Sequence, residues 1–153
     1  MTASPCQTDR VDAWPHRFAI RVYYEDTDLA GIVYYANYLK FIERARSEWL
    51  RAAGLDQAAL KAEGAAFAVR HLEADYLAPA RFDDLLTVQS RLEATTPARI
   101  VMAQQVLRGG KLLFSARVTV VCLGPSGAPV RLPQGMAARL DGPGLQAAVL
   151  TPP

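Results

Sequence analysis

Histidine, cysteine and lysine are scarce in this chain of 153 residues, and each scarcity closes a route. The two cysteines, Cys6 and Cys122, and the two histidines, His16 and His71, stand at spacings that match no metal-binding pattern, so no metal site is expected. Cys122 lies in an apolar stretch and reads as a buried, inert thiol, whereas Cys6 falls in a polar N-terminal segment. Lys40, Lys61 and Lys111 are the only lysines; the remaining cations are arginines. Seventeen basic against fifteen acidic residues give a net charge of +2, too balanced to predict a nucleic-acid partner. No apolar run approaches a membrane span, and residues 1–16 hold no apolar core of signal-peptide length. The expectation is a soluble, cytoplasmic protein.

What is present is an ordinary globular balance, 51% hydrophobic and 21% charged, in a chain long enough to bury one core. Residues 1–16 carry Pro5 and Pro15 without any period and read as a flexible tail; residues 142–153 read as a second one. Between them, residues 17–141 are expected to form one domain. Phe18, Ile20, Val22 and Tyr24 alternate with Arg21 and Glu25, which predicts a strand. Residues 26–31 read as a turn. The spacing of Tyr34, Tyr38, Phe41, Ile42, Ala45 and Trp49 predicts a helix over 33–53, with Arg44 and Glu48 placed to pair and Gly54 as its C′ residue. A short helix is expected over 56–63, and the period then changes to two. Strands are expected over 66–77, 86–94, 100–106 and 112–122, with a type I′ hairpin at Gly109-Gly110 and a short closing helix over 133–140. One helix and about four long antiparallel strands, without βαβ alternation, predict a two-layer α+β domain whose central helix is wrapped by the sheet. The open face and edges of such a sheet invite self-association.

The stretch from Tyr23 to Tyr38 carries the chemistry. An extended run ends in two closely spaced carboxylates, Asp26 and Asp28, then comes a glycine turn at Gly31, then an aromatic helix. An acid is thereby set beside a helix N-terminus, where unpaired N–H groups and the helix dipole favour negative charge. A carboxylate next to an anion site suits acyl transfer through a tetrahedral intermediate.

Residues 24–48 (YEDTDLAGIVYYANYLKFIERARSE) closely resemble the hotdog-fold acyl-CoA thioesterases, nearest to the 4-hydroxybenzoyl-CoA thioesterases and the Tol–Pal-associated acyl-CoA thioesterases. The D-x-D-x-x-G-x-V-Y-Y-x-N-Y pattern is long and specific. In many Tol–Pal-associated members a histidine stands where this chain has Tyr35; a tyrosine there resembles the 4-hydroxybenzoyl-CoA group. The resemblance implies a hotdog fold and hydrolysis of an acyl- or aroyl-CoA thioester. It implies no cofactor, coenzyme A being part of the substrate, and a homodimer or homotetramer with sites at subunit interfaces. It assigns Asp28 as nucleophile or general base and the Tyr35 backbone N–H as the donor that polarises the thioester carbonyl. Gly31, Ile32 and Val33 match the segment that admits the thioester, and Tyr24 and Asn37 match supporting positions. Thiolate leaves readily, so the lack of a histidine in the motif is no obstacle.

Other readings stand beside this one. Thr27 or Asp28 could cap the helix. Tyr34, Tyr38 and Trp49 read as core. Glu43 is a rival acid, since some hotdog thioesterases carry a catalytic carboxylate on the helix; with Arg44 and Arg46 nearby it also reads as an ion-pair residue. Arg91, Arg99, Arg117 and Arg131 could meet nucleotide phosphates or simply face water. A non-catalytic module binding acyl-CoA or a partner is the second functional class. A hotdog dehydratase comes last, because such enzymes resemble one another in pairing a histidine with a carboxylate.

Overall fold

The first period-two stretch becomes strand β1, His16–Arg21, in a computed structural model that describes residues 14–142. Most of the two expected tails, and Cys6 with them, lie outside the described residues. β1 opens earlier than the alternation suggests: His16 is fully buried and sits opposite Ser90. It also closes earlier. Tyr24–Asp26 form a single 3-10 turn, with the Asp26 N–H donating to the Tyr23 carbonyl at 3.0 Å and the Asp26 carboxylate taking the Tyr23 N–H at 2.8 Å. The turn rotates Tyr24 off the buried face, so it is exposed rather than core.

Helix α1, Asn37–Ala52, starts later than its aromatic spacing predicts. The reason lies in where the preceding N–H groups go. Val33 donates to the Ala80 carbonyl at 2.8 Å and Tyr34 to the Asp26 carbonyl at 2.9 Å, in short bridge pairings with Thr27 and the 80–81 segment. These residues are held in extended backbone, and the helix can begin only after them. Tyr34 therefore leaves the apolar stripe and is half exposed, while Tyr38, Phe41, Ile42, Ala45 and Trp49 keep to it and are buried. Gly54 does close the helix: at φ 77° it donates to the Arg51 carbonyl while Leu55 reaches back to Leu50, a Schellman ending. Glu48 pairs with Arg51 rather than Arg44. A short α2, Gln57–Ala62, follows, capped by the Asp56 carboxylate on the Ala58 and Ala59 N–H groups.

Four long strands come next: β2 (Ala66–Tyr76), β3 (Leu85–Thr95), β4 (Arg99–Arg108) and β5 (Lys111–Leu123). All pair antiparallel in the order β1-β3-β4-β5-β2, and a two-residue β6, Pro129–Val130, adds to the end of β5. The β4–β5 hairpin turns on Gly109 alone in the positive-φ region, at 59°, with Gly110 outside it. That is the type II′ pattern, not the expected I′. A closing helix α3 is confined to Met136–Leu140.

α1 packs across β1, β3 and β4, and its stripe meets Leu86, Val88, Ile100, Met102, Val106 and Phe114 in one core. Gln104, fully buried on β4, ties the layers together. Its amide donates to the Ile42 carbonyl (3.0 Å) and Ser90 Oγ (2.9 Å), and its carbonyl accepts from Arg46 (2.9 Å). A buried amide satisfied on every side fixes the register of helix on sheet. Cys122 is free and buried, with its thiol pushed up by that burial, as expected of an inert side chain. Among the described residues no helix is long and apolar enough to cross a membrane.

Candidate active site

The two acids of the motif have opposite surroundings. Asp26 is buried. Its carboxylate holds the Tyr23 N–H, and its carbonyl takes the Tyr34 N–H and the Asn37 side-chain amide, both at 2.9 Å. Asp28, two residues on, is exposed. Its Oδ1 accepts from the Ala30 N–H at 2.9 Å, and Oδ2 has no protein partner among the described residues. Asp26 therefore shapes the loop, while Asp28 carries one uncommitted carboxylate oxygen.

The loop that presents Asp28 is a tight reversal. The Asp28 N–H donates to Ile32 (2.9 Å), the Gly31 N–H to Asp28 (3.0 Å), and Thr27 bridges Val33. Gly31 supplies the positive φ of 80° that the reversal needs. Thr27 Oγ1 donates to the Tyr24 carbonyl at 2.8 Å, and the helix begins behind Ala36 with no side-chain cap. Neither Thr27 nor Asp28 caps α1, so the capping reading fails on position.

Tyr24, Thr27, Asp28, Leu29, Gly31 and Phe82 line an open cleft of about 600 Å³. Phe82 meets Tyr24 edge-on at 6.3 Å and forms the far wall. Nothing in the spacing of the sequence points to Phe82, because it arrives on the 77–84 loop after Pro79, tethered through the Ile32–Arg81 bridge. Asp84 holds that loop by taking the Arg81 N–H and the Arg108 guanidinium, both at 2.8 Å. Burial opposes the Asp84 charge, but these partners hold its carboxyl below its ordinary range.

Tyr35 stands two residues before the helix, and its N–H donates to no protein acceptor among the described residues. The Ala36 N–H is equally uncommitted. The Tyr34 phenol is pushed above its ordinary range, first by Tyr35, whose ring lies 4.9 Å away, and in part by the Asp28 charge.

Of the residues marked in the sequence, Tyr24, Asp28 and Gly31 line the cleft, whereas Tyr35 is exposed outside that lining. Val33 and Asn37 are buried and Ile32 half-buried, where they anchor the loop to the 80–81 segment and to Asp26. Glu43 is elsewhere: it accepts from Ser47 Oγ at 2.8 Å and borders a separate cavity of about 150 Å³ with Arg46, Leu50, Phe67 and Val69. Arg117 is paired with Glu93 at 2.5 Å and Arg91 lies 4.4 Å over the Trp14 ring, whereas Arg99 and Arg131 are exposed.

Known proteins share this fold. Residues 22–140 match the family model described as the thioesterase-like superfamily. The chain is 44% identical over 124 residues to the acyl-CoA thioester hydrolase YbgC of Escherichia coli O6:H1, covering 80% of this chain and 92% of that protein. A probable thioesterase from Bartonella henselae superposes with a TM-score of 0.74 at 42% identity, over 77% of this chain and 98% of that one. A 1,4-dihydroxy-2-naphthoyl-CoA thioesterase from Synechocystis gives 0.76 at 27% identity, over 83% and 98%. The helix wrapped by an antiparallel sheet is the hotdog fold of these thioesterases, and the chain belongs to the thioesterase-like superfamily.

Proposed function

We propose that this protein hydrolyses the thioester bond of an acyl- or aroyl-coenzyme A at the Asp28 cleft. One observation carries the site assignment: Asp28 keeps a free carboxylate oxygen in an open cleft, and the Tyr35 N–H farther along the same segment is unspent. The substrate class is supported by relatives named for acyl-CoA and for 1,4-dihydroxy-2-naphthoyl-CoA.

In this reading the thioester carbonyl oxygen sits on the Tyr35 N–H. Attack at the carbonyl carbon moves its π electrons onto that oxygen, and the fixed donor stabilises the charge. One such donor is worth roughly 3–4 kcal/mol. As a general base, Asp28 takes a proton from water while the water oxygen bonds to carbon. Collapse breaks the C–S bond, the acid departs, and the thiolate of coenzyme A takes up a proton. As a nucleophile, Asp28 forms a mixed anhydride and releases the thiolate first; water then cleaves the anhydride. Both routes use protein groups and water alone, with coenzyme A entering as substrate.

The proposal includes a homodimer or larger assembly. β2 is an edge strand with an exposed apolar row of Val69, Leu72 and Tyr76, continued by Leu77, and the cleft is open on one side. A second copy would cover both. The proposed compartment is the cytoplasm, where a free thiol such as Cys122 stays reduced. A panel of aliphatic and aromatic acyl-CoAs, followed by free-thiol release, tests the activity. Turnover of at least one member is expected. Tight binding across the panel without thiol release would convert the protein into a binding module.

A further inference from the structure

Tyr76 lies outside the cleft lining, yet it touches the helix mouth. It ends β2 opposite Phe114 of β5. Its ring meets Phe114 edge-on at 5.0 Å, Tyr38 at 5.5 Å and Tyr35 at 6.2 Å. Phe114 and Tyr38 are buried and stacked on each other at 5.0 Å, and the Tyr38 hydroxyl is fixed by the Ala80 N–H at 3.0 Å. The Tyr76 ring thus leans on a rigid wall. Its hydroxyl donates to the Tyr35 carbonyl at 2.8 Å, the one partner of that carbonyl among the described residues.

The consequence follows from peptide geometry. In a trans unit the C=O and N–H point in opposite directions. With the Tyr35 carbonyl drawn toward Tyr76, the Ala36 N–H of the same unit points away from β2. The preceding unit is fixed in parallel fashion: the Tyr34 carbonyl accepts the Asn37 N–H at 2.8 Å, which orients the Tyr35 N–H. Both flanks of Tyr35 are anchored through their carbonyls, and both N–H groups are left without a protein acceptor. The anchor at Tyr76 is needed because Tyr35 precedes the helix and is itself exposed, so the helical ladder does not hold its carbonyl.

We propose that Tyr76 is a positioning residue for the oxyanion donors, its hydroxyl pinning the Tyr35–Ala36 peptide so that the carbonyl cannot swing toward the oxygen on which charge develops. The inference rests on the reading of the Tyr35 N–H as that donor. Donors already in place cost no reorganisation during the reaction, which is where their advantage lies. Drawing charge from the Tyr35 carbonyl also polarises the Ala36 N–H of the same peptide, the uncommitted donor that follows Tyr35. Burial, then the Tyr35 and Tyr38 phenols, push the Tyr76 phenol above its ordinary range, so it remains a donor through neutral pH. The pin acts on an interaction that strengthens as charge develops on the carbonyl oxygen, so the effect belongs to kcat rather than KM.

The test compares wild type, Tyr76→Phe and Asp28→Asn in steady-state thiol release from one acyl-CoA, with thermal melts and ¹⁵N amide spectra of the unliganded proteins. For Tyr76→Phe the expected result is a loss of roughly tenfold in kcat with KM within about twofold. The melting temperature holds and the Ala36 amide resonance moves. Full kcat in Tyr76→Phe beside an inactive Asp28→Asn overturns the positioning role and leaves the site intact. Full kcat in Asp28→Asn overturns the site reading instead. A loss of kcat in Tyr76→Phe matched by an equal loss of melting temperature, or an unmoved Ala36 resonance, also counts against the pin.

Discussion

A single side chain, His16, gives the protein a built-in pH dependence. Its ring is fully buried, stacks on Trp49 at 6.2 Å between centroids, and offers both nitrogens to no partner among the described residues. Burial lowers its pKa from 6.5 to about 4, with Glu48 opposing in part. The folded protein therefore keeps His16 neutral over a range in which the unfolded chain protonates it. Stability from this group is complete above pH 6.5 and is lost as pH falls toward about 4. With a slope that approaches about 1.4 kcal/mol per unit below pH 6.5, the loss from neutral-to-basic pH down to about pH 5 is about 2 kcal/mol. Urea unfolding across that range should show the slope in wild type and a flatter profile in His16→Phe, which keeps the stack and removes both nitrogens. Equal slopes in the two proteins would remove His16 as the source.

At the scale of elements, the 23–37 segment shows what a sequence can and cannot convey. The strands β2 to β5 and the Gly54 ending of α1 are legible because period-two alternation and a C′ glycine are local signals. The start of α1 is not, because Val33 and Tyr34 commit their N–H groups to Ala80 and Asp26, one of them far along the chain. Phe82 and Tyr76 are hidden for the same reason: each reaches the site through a loop or sheet pairing with no local signature. The motif marks both acids, but only their hydrogen bonds separate them. Asp26→Ala should cost about 1–2 kcal/mol by leaving the Tyr23 N–H unpaired, whereas Asp28→Ala should change stability by less than about 0.5 kcal/mol. Chemical denaturation of both variants checks this, and equal losses would make Asp28 a second structural acid.

For the whole molecule, the edge of β2, unpaired among the described residues, and the open cleft are the grounds for the proposed second copy. Sedimentation equilibrium at micromolar concentration should give at least twice the 16.7 kDa chain mass. A fully active monomer would show that one chain completes its own site. The role of Asp28 in turnover is read from kcat for Asp28→Asn on an acyl-CoA that the wild type hydrolyses, taken with a thermal melt. The substitution is nearly isosteric and removes only the charge and the basic oxygen. Turnover should fall by at least about a hundredfold with the melting temperature unchanged. Near-normal kcat in a folded Asp28→Asn protein would contradict Asp28 as the base or nucleophile.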